Sequence, residues 1–218
     1  MSTWAIVVAA GAGERFGERK QFQRLGPDRV VDWALRAAGA HCDGVVLVVP
    51  ADAVGTGAAA DAVVVGGATR SASVRAGLAA LPADAEVVVV HDAARPAVPF
   101  SDIDALFEAA EKSDAVVLAS PLRAPLVEVD EGGGAVAYHL PGSFMHVLTP
   151  QAFSKEKFAE MAAGGKDLHP SQVRLLKGSS LNVRLGGGGD AGLVKAMINM
   201  LPKPKVRPPS SPFEEAQW

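Results

Sequence analysis

Short apolar runs recur along the first 120 residues, and they predict strands that are buried on both faces of a sheet. The runs lie at residues 5–9, 45–49, 63–65, 87–90 and 115–119. They consist of valine, alanine, isoleucine and leucine with no alternating polar position, which is typical of strands in a parallel sheet.

Helical patterns separate these runs. Residues 30–40 and 71–81 carry apolar positions three and four residues apart, and further helices are predicted near residues 102–112 and at 191–201. Strands that alternate with helices predict an α/β fold with a doubly wound, mostly parallel, Rossmann-like sheet. In such a sheet ligands bind beyond the carboxyl ends of the strands.

That rule places three loops around one crevice. They are residues 11–20, 66–73 and 91–95, each of which follows a predicted strand.

A β-hairpin is predicted to project from the sheet. Residues 126–129 and 135–139 read as two short strands joined by the sequence EGGG, so the arm spans about residues 123–141. Residues 1–201 are expected to form a single domain. Residues 202–218 are rich in proline, and we expect this tail to be disordered or draped on the surface.

Composition narrows the class of protein. The chain has 218 residues, 49% of them hydrophobic, and a net charge of −3, so no general basic surface predicts binding to nucleic acid or an anionic membrane. Cys42 is the only cysteine, which excludes an intramolecular disulfide and fits a reducing compartment. With no run of 18 apolar residues and no signal-like N-terminus, a cytoplasmic protein is expected.

Glycines follow the first strand directly. Gly11 and Gly13 bracket a turn whose backbone a phosphate can approach closely, and Arg15, Arg19 and Lys20 follow within nine residues. This pattern predicts a polyphosphate site. The alternative is a turn that only packs a helix on the sheet. A dinucleotide fingerprint does not fit, because Phe16 stands at its third glycine, and no G-K-[ST] of a P-loop follows.

Five segments together resemble a known family. They are AAGAGERF at 9–16, KQF at 20–22, GGATRSASVRAGL at 66–78, HDAARP at 91–96 and LTPQAF at 148–153. Over residues 4–200 their order and spacing are similar to those of the 2-C-methyl-D-erythritol 4-phosphate cytidylyltransferases of the non-mevalonate isoprenoid pathway. The resemblance implies transfer of CMP from CTP to a polyol phosphate with release of pyrophosphate, Mg²⁺ or another divalent cation, and a homodimer held by the arm.

The resemblance also implies roles for individual residues. Arg15, Lys20 and Arg184 are the implied catalytic residues, and Asp92 is both the implied metal ligand and an acceptor contact. The acceptor set comprises Asp92, Arg95 and Thr149. The implied CTP-binding residues are Ala9, Ala10, Gly11, Ala12, Gly13, Gly66, Gly67, Arg70, Ser73 and Ala93.

Simpler structural interpretations stand beside these roles. Arg15 and Lys20 could be solvated surface charges, and Asp92 could form a local ion pair with Arg95. Ser73 could cap the helix that starts there. Thr149 could be a turn residue before Pro150. His91 is expected to be a packed strand-end residue rather than a catalyst.

The sequence departs from the family pattern in the acceptor half. The arm reads Arg123-Ala124-Pro125 where the family has a basic residue followed by Asp-Thr, and the family's Lys is Arg184 here. An Arg keeps the charge, but its planar fork is not interchangeable with an ammonium. Three hypotheses remain open: the methylerythritol phosphate enzyme, a cytidylyltransferase for another polyol phosphate such as ribitol 5-phosphate, and a nucleotide-binding pseudoenzyme.

Overall fold

The fold is a seven-stranded sheet with the order β11-β7-β10-β6-β1-β4-β5. A computed structural model describes residues 1–11, 19–55, 59–142, 144–163, 173–186 and 190–201. The sheet strands are β1 (Thr3–Val8), β4 (Gly44–Val49), β5 (Ala62–Val65), β6 (Val87–Asp92), β7 (Ala115–Pro121), β10 (Met145–Ser154) and β11 (Arg174–Lys177). β10 pairs antiparallel with β6 and β7, and the other pairings are parallel. The predicted mostly parallel α/β fold is confirmed.

Helices cover both faces of the sheet. They are α1 (Val30–Gly39), α2 (Arg70–Ala79), α3 (Phe100–Ala110) and α4 (Lys155–Ala163). A further helix, α5 (Asp190–Met200), packs through Val194 against Leu25, Val30 and Leu185 instead. One core cluster joins alternate β1 residues to α1 and α3, and a second joins Ile6 of β1 to α2 and α4. Successive strand residues point to opposite faces, so a run that is apolar at every position fills both clusters.

Two small ribbons complete the described structure. β2 (Arg24–Leu25) and β3 (Asp28–Arg29) form a short antiparallel pair before α1. The predicted arm is present as β8 (Leu126–Val129) and β9 (Ala135–His139), an antiparallel pair. Its turn is held by Asp130, whose carboxylate accepts from the Gly132 and Gly134 amides.

Several predictions differ from the structure or fall outside it. The sequence patterns did not predict β10, α4 or β11. The proline-rich tail at 202–218 lies outside the described residues, and the single domain over 1–201 stays a prediction. Within the described ranges no helix is long and apolar enough to cross a membrane. Burial raises the pKa of Cys42 to about 12, so this thiol behaves as a small apolar side chain.

Candidate active site

The parallel ladder brings the three predicted loops to one edge of the sheet. The amide of Ala9 donates to the Val48 carbonyl at 2.8 Å, and the amide of Ala93 donates to the Val8 carbonyl at 3.0 Å. The Gly66 amide donates to the Val49 carbonyl at 2.8 Å. Each loop therefore starts at the carboxyl end of a strand and beside its neighbour, which is where such sheets bind ligands.

Gly66 is a packing requirement of this edge. A Cβ built there would overlap the Ala10 Cβ and lie 2.8 Å from Ser73 Oγ. Because Ala10 is held by its backbone, it has no flexible end that could move aside. At Gly11, by contrast, a Cβ meets no described atom within 4 Å. The absence of a described atom beside Gly11 is compatible with the predicted approach of a phosphate, and the glycine at 66 lets the two loops touch.

Ser73 fixes the loop between β5 and α2. Its side chain is 2% exposed, and its hydroxyl accepts from the Gly67 amide at 3.2 Å. The same hydroxyl is 3.0 Å from the Thr69 carbonyl. The cap of α2 is Thr69, whose Oγ1 accepts from the Ala72 amide at 3.0 Å. The interpretation of Ser73 as the helix cap is therefore wrong, and its CTP contact stays a prediction.

Asp92 forms its ion pair with Arg70. The Nε and Nη2 atoms of Arg70 both lie 3.1 Å from Asp92 Oδ1. The local Asp92–Arg95 pair is therefore not the one that forms, although the Arg95 amide does donate to the Asp92 carbonyl at 3.0 Å. Two residues with separate implied roles, one toward CTP and one toward the acceptor, thus meet directly.

Arg95 and Arg184 concentrate positive charge at the same edge. Arg95 Nη1 donates to the Asn182 carbonyl at 2.9 Å, and the Leu185 amide donates to the Ala94 carbonyl at 2.7 Å. Residues 182–186 therefore cross the loop after β6. Burial lowers the pKa of Arg95, the Asp92 carboxylate opposes this, and the Arg184 charge lowers it further. Exposed Arg184 is thus close enough to repel Arg95. An anion bound beside the two guanidinium groups would reduce this repulsion.

Two buried polar atoms beside this cluster have no hydrogen-bond partner among the described residues. They are Arg95 Nε and Asn182 Oδ1. The amide nitrogen of Asn182 donates to the Thr149 carbonyl at 2.9 Å, so the residue joins the two sides of the loop.

His91 and Thr149 form a buried network with one consistent set of donors. His91 is fully buried, and its Nε2 lies 3.1 Å from the Arg95 carbonyl while Nδ1 lies 3.0 Å from Thr149 Oγ1. The Asp92 amide donates to Thr149 Oγ1 at 3.0 Å. Nε2–H therefore donates to Arg95, and Nδ1 accepts from the Thr149 hydroxyl. Burial lowers the pKa of His91 to about 4, so the ring is neutral.

A break in the β10 ladder frees Thr149 for this network. The register of β10 against β7 shifts between Val147 and Gln151, and Thr149 lies inside the shift. Such irregularities redirect a side chain next to a site. His91 is a packed strand-end residue, as expected. The Thr149 side chain is 4% exposed, so its implied acceptor contact stays a prediction.

Lys20 lies at the other end of the crossing segment. It starts a 3-10 turn, Lys20–Phe22, and its Nζ donates to the Gly186 carbonyl at 2.5 Å. The Gly186 amide donates to Asp190 Oδ2 at 2.7 Å, which ties this contact to the start of α5. Arg15, Ala12 and Gly13 lie outside the described residues.

The implied Mg²⁺ finds few protein ligands here. No group of three His, Cys, Asp or Glu side chains that could hold a metal ion occurs within the described ranges. Asp92 is a single carboxylate, and its Oδ1 is engaged by Arg70. One carboxylate together with substrate phosphates is nevertheless a common way to bind Mg²⁺, so the residues present fit this sparse mode.

Sequence reasoning missed two residues of this edge, Gln21 and Asn182. Both have buried side chains that donate to backbone carbonyls of predicted site residues: Gln21 to Ala9 and Gly11, and Asn182 to Thr149. Gln21 falls within the KQF segment, which was the one signal that could have drawn attention to it.

Comparison with known proteins identifies the chain as a nucleotidyltransferase. A family model described as IspD, 2-C-methyl-D-erythritol 4-phosphate cytidylyltransferase, matches residues 3–195. The chain therefore belongs to this family, and the resemblance of the five segments is confirmed.

Individual relatives agree with this assignment. The 2-C-methyl-D-erythritol 4-phosphate cytidylyltransferase of Xanthomonas campestris pv. campestris (strain 8004) is 38% identical over 187 residues, covering 77% of this chain and 70% of the relative. The crystal structure of the enzyme of that name from Thermus thermophilus is similar with a TM-score of 0.77 and 27% identity, covering 91% and 100% of the two chains. The Francisella tularensis structure, at 20% identity with a TM-score of 0.76 and coverage of 90% and 100%, shows the same fold.

The contrast between Gly11 and Gly66 gives a matched prediction. Gly66→Ala should lower the melting temperature by several degrees and weaken CTP binding, because its Cβ overlaps Ala10. Gly11→Ala should leave the melting temperature within about 2 °C, since no described atom opposes the new methyl. Its CTP affinity should fall because the methyl blocks the approach of a phosphate. Thermal melts and CTP titrations measure both effects, and equal melting temperatures of the two variants, or unchanged CTP affinity in Gly11→Ala, would contradict this account.

The neutral state of His91 predicts a pH dependence of stability. Its folded pKa of about 4 lies below the ordinary value of 6.5, so the unfolded chain takes up the proton first as pH falls. The neutral His91 ring therefore contributes up to about 3 kcal/mol to the free energy of unfolding. This contribution is complete above pH 6.5 and is lost as the pH falls toward 4. His91→Gln keeps the donor and acceptor pattern without titrating, so its stability should fall less over this window. Denaturant unfolding at several pH values, with exposed His146→Gln as control, tests it; parallel curves for wild type and His91→Gln would refute it.

Proposed function

We propose that this chain transfers CMP from CTP to 2-C-methyl-D-erythritol 4-phosphate and releases pyrophosphate. The family and the named relatives support this substrate pair. The single structural observation that carries it is the crossing segment 182–186, which contacts both Lys20 and the loop containing Arg95. A cation suited to CTP and two cations suited to an acceptor phosphate, Arg95 and Arg184, are thereby held at one strand edge.

The reaction needs charge stabilisation rather than a covalent intermediate. A phosphate oxygen of the acceptor attacks the α-phosphorus of CTP, and the bond from that phosphorus to the pyrophosphate oxygen breaks. Lys20 and Arg15 stabilise the negative charge that builds on the phosphate oxygens. When bound, Mg²⁺ neutralises further charge on the CTP phosphates, and Asp92 would supply its protein carboxylate.

The loops divide the two substrates between them. Ala9–Gly13, Gly66, Gly67, Arg70, Ser73 and Ala93 surround CTP in this proposal. On the acceptor side Arg95, Arg184 and Thr149 hold the polyol phosphate, with Asp92 between the two substrates. The direct contact of Arg70 with Asp92 supports this order, since the CTP loop and the acceptor loop meet there.

Pyrophosphate release from CTP with a panel of polyol phosphates tests the proposal. We expect turnover with 2-C-methyl-D-erythritol 4-phosphate. Turnover should fall by about 10²-fold or more in Lys20→Ala or Arg15→Ala, as it does when transition-state donors are removed.

Arg184→Ala should lower kcat/KM for the acceptor by about 10-fold or more with little change in CTP affinity. The activity of Arg184→Lys should match or exceed that of the wild type. Exposed Lys112→Ala is the matched control.

Each other outcome assigns a different function. A preference for ribitol 5-phosphate would favour another polyol phosphate as acceptor. CTP binding without turnover on any acceptor would identify a pseudoenzyme. Wild-type turnover that is unchanged in Arg184→Ala would remove Arg184 from the site and leave the acceptor phosphate to Arg95 and Thr149.

The arm supports a homodimer as part of this proposal. Its exposed apolar side chains include Val129 at 58%, Val136 at 63% and Tyr138 at 64% exposed. An isolated two-stranded hairpin is marginally stable in water, and a large exposed apolar patch marks an interaction surface. A second copy of the chain would cover this patch. The cytoplasmic location expected from the sequence stays a prediction.

Charge introduced on the arm should separate the subunits. Val136→Asp would place a carboxylate in the covered surface and should shift the protein from dimer to monomer, measured by analytical ultracentrifugation. Leu193→Asp on α5 is the control, since Leu193 is 51% exposed and belongs to a different element from the arm. A wild-type monomer, or a Val136→Asp dimer of undiminished affinity, would exclude dimerisation through the arm.

A further inference from the structure

Gln21 binds two carbonyls at the start of the predicted CTP loop. Its side chain is 6% exposed, and Nε2 donates to the Ala9 carbonyl and to the Gly11 carbonyl, each at 2.8 Å. A primary amide nitrogen has two N–H groups. Both are therefore used on the backbone of one loop.

The side chains of the three residues in the 3-10 turn point in three different directions. A 3-10 helix has three residues per turn, so consecutive side chains point about 120° apart. Lys20 reaches the Gly186 carbonyl, Gln21 reaches the loop, and Phe22 packs against the main core cluster. The turn therefore couples the position of the Lys20 ammonium to the conformation of the loop that follows β1.

The two hydrogen bonds also set the direction of backbone donors. In a trans peptide the C=O and N–H groups point to opposite sides. Because the Ala9 carbonyl is directed at Gln21, the N–H of Ala10 in the same peptide is directed away from it. Ala10 is one of the residues proposed to bind CTP. Fixing its peptide before the ligand arrives lowers the ordering cost of binding.

We propose that Gln21 is a positioning residue of the cytidylyl transfer, which holds the CTP loop and Lys20 in register with each other. The inference rests on the proposed function for the identity of the nucleotide. Gln21 itself acts through the Ala9 and Gly11 carbonyls and has no contact with the reacting atoms in this role.

Gln21→Met tests the proposal, because methionine has a similar shape and no donor. CTP titration by calorimetry without acceptor should show Kd raised by about 10-fold or more, and kcat should fall as well. The fall in kcat should be smaller when Gln21→Met is made in a Lys20→Ala background, since the two residues act together. If Gln21→Met fails to fold, Gln21→Glu gives the same comparison, as it keeps the shape and replaces both donors with acceptors.

A core variant separates positioning from stability. Phe158→Leu removes part of a buried ring that stacks on Phe153. Phe153 pairs with Val88 near the start of β6, so this core position lies at the opposite end of the strand from Asp92. The variant should lower the melting temperature and leave the Kd for CTP unchanged. Equal CTP affinity in wild type and Gln21→Met, or additive effects of Gln21→Met and Lys20→Ala on kcat, would overturn the role of Gln21 and leave the proposed function standing. Failure of the wild type to bind CTP would overturn both.

Discussion

The parallel pairing of β1 with β4 and β6 is the constraint on which the site depends. It aligns Val8 with Val48 on one side and with Asp92 on the other, and β4 in turn aligns Val49 with Val65 of β5, so the loops after β1, β5 and β6 must start together. The ladder continues one residue into the loop in each case, through the amides of Ala9, Gly66 and Ala93. The residue at which each loop starts is thereby fixed by the same hydrogen bonds that build the sheet, before any side chain contributes.

The proposed acceptor half is held by a different kind of interaction. Its loop after β6 is fixed from inside by a neutral histidine, His91, and from outside by the segment that contains Asn182. Buried polar networks of this kind are costly unless their members are satisfied. Two atoms of this network, Arg95 Nε and Asn182 Oδ1, are buried without a hydrogen-bond partner among the described residues.

The local hydrophobic pattern was sufficient to predict the strands and helices whose burial follows the period of apolar residues in the sequence. The sheet strands up to residue 121 and the arm follow from apolar runs and from a glycine turn. β10 did not, because Thr149 and Pro150 interrupt its pattern, and proline is unusual inside a sheet. Its antiparallel place between β6 and β7 is set by long-range pairing that no short window contains. Gln21 was also missed, because its partners are backbone carbonyls, which any sequence would supply.

The position of β10 dictates the order in which the sheet can be assembled during synthesis. Once Asp92 has left the ribosome, the nascent chain already contains four adjacent strands, β5, β4, β1 and β6. β7 follows, yet its sheet partners are β10 and β11, which are made only after the arm. Until Ser154 is translated, the edge of β6 that pairs with β10 and both edges of β7 have no partner from this sheet, and such edges attract other chains. The length of the arm therefore also sets how long, during synthesis, those strand edges remain without a partner.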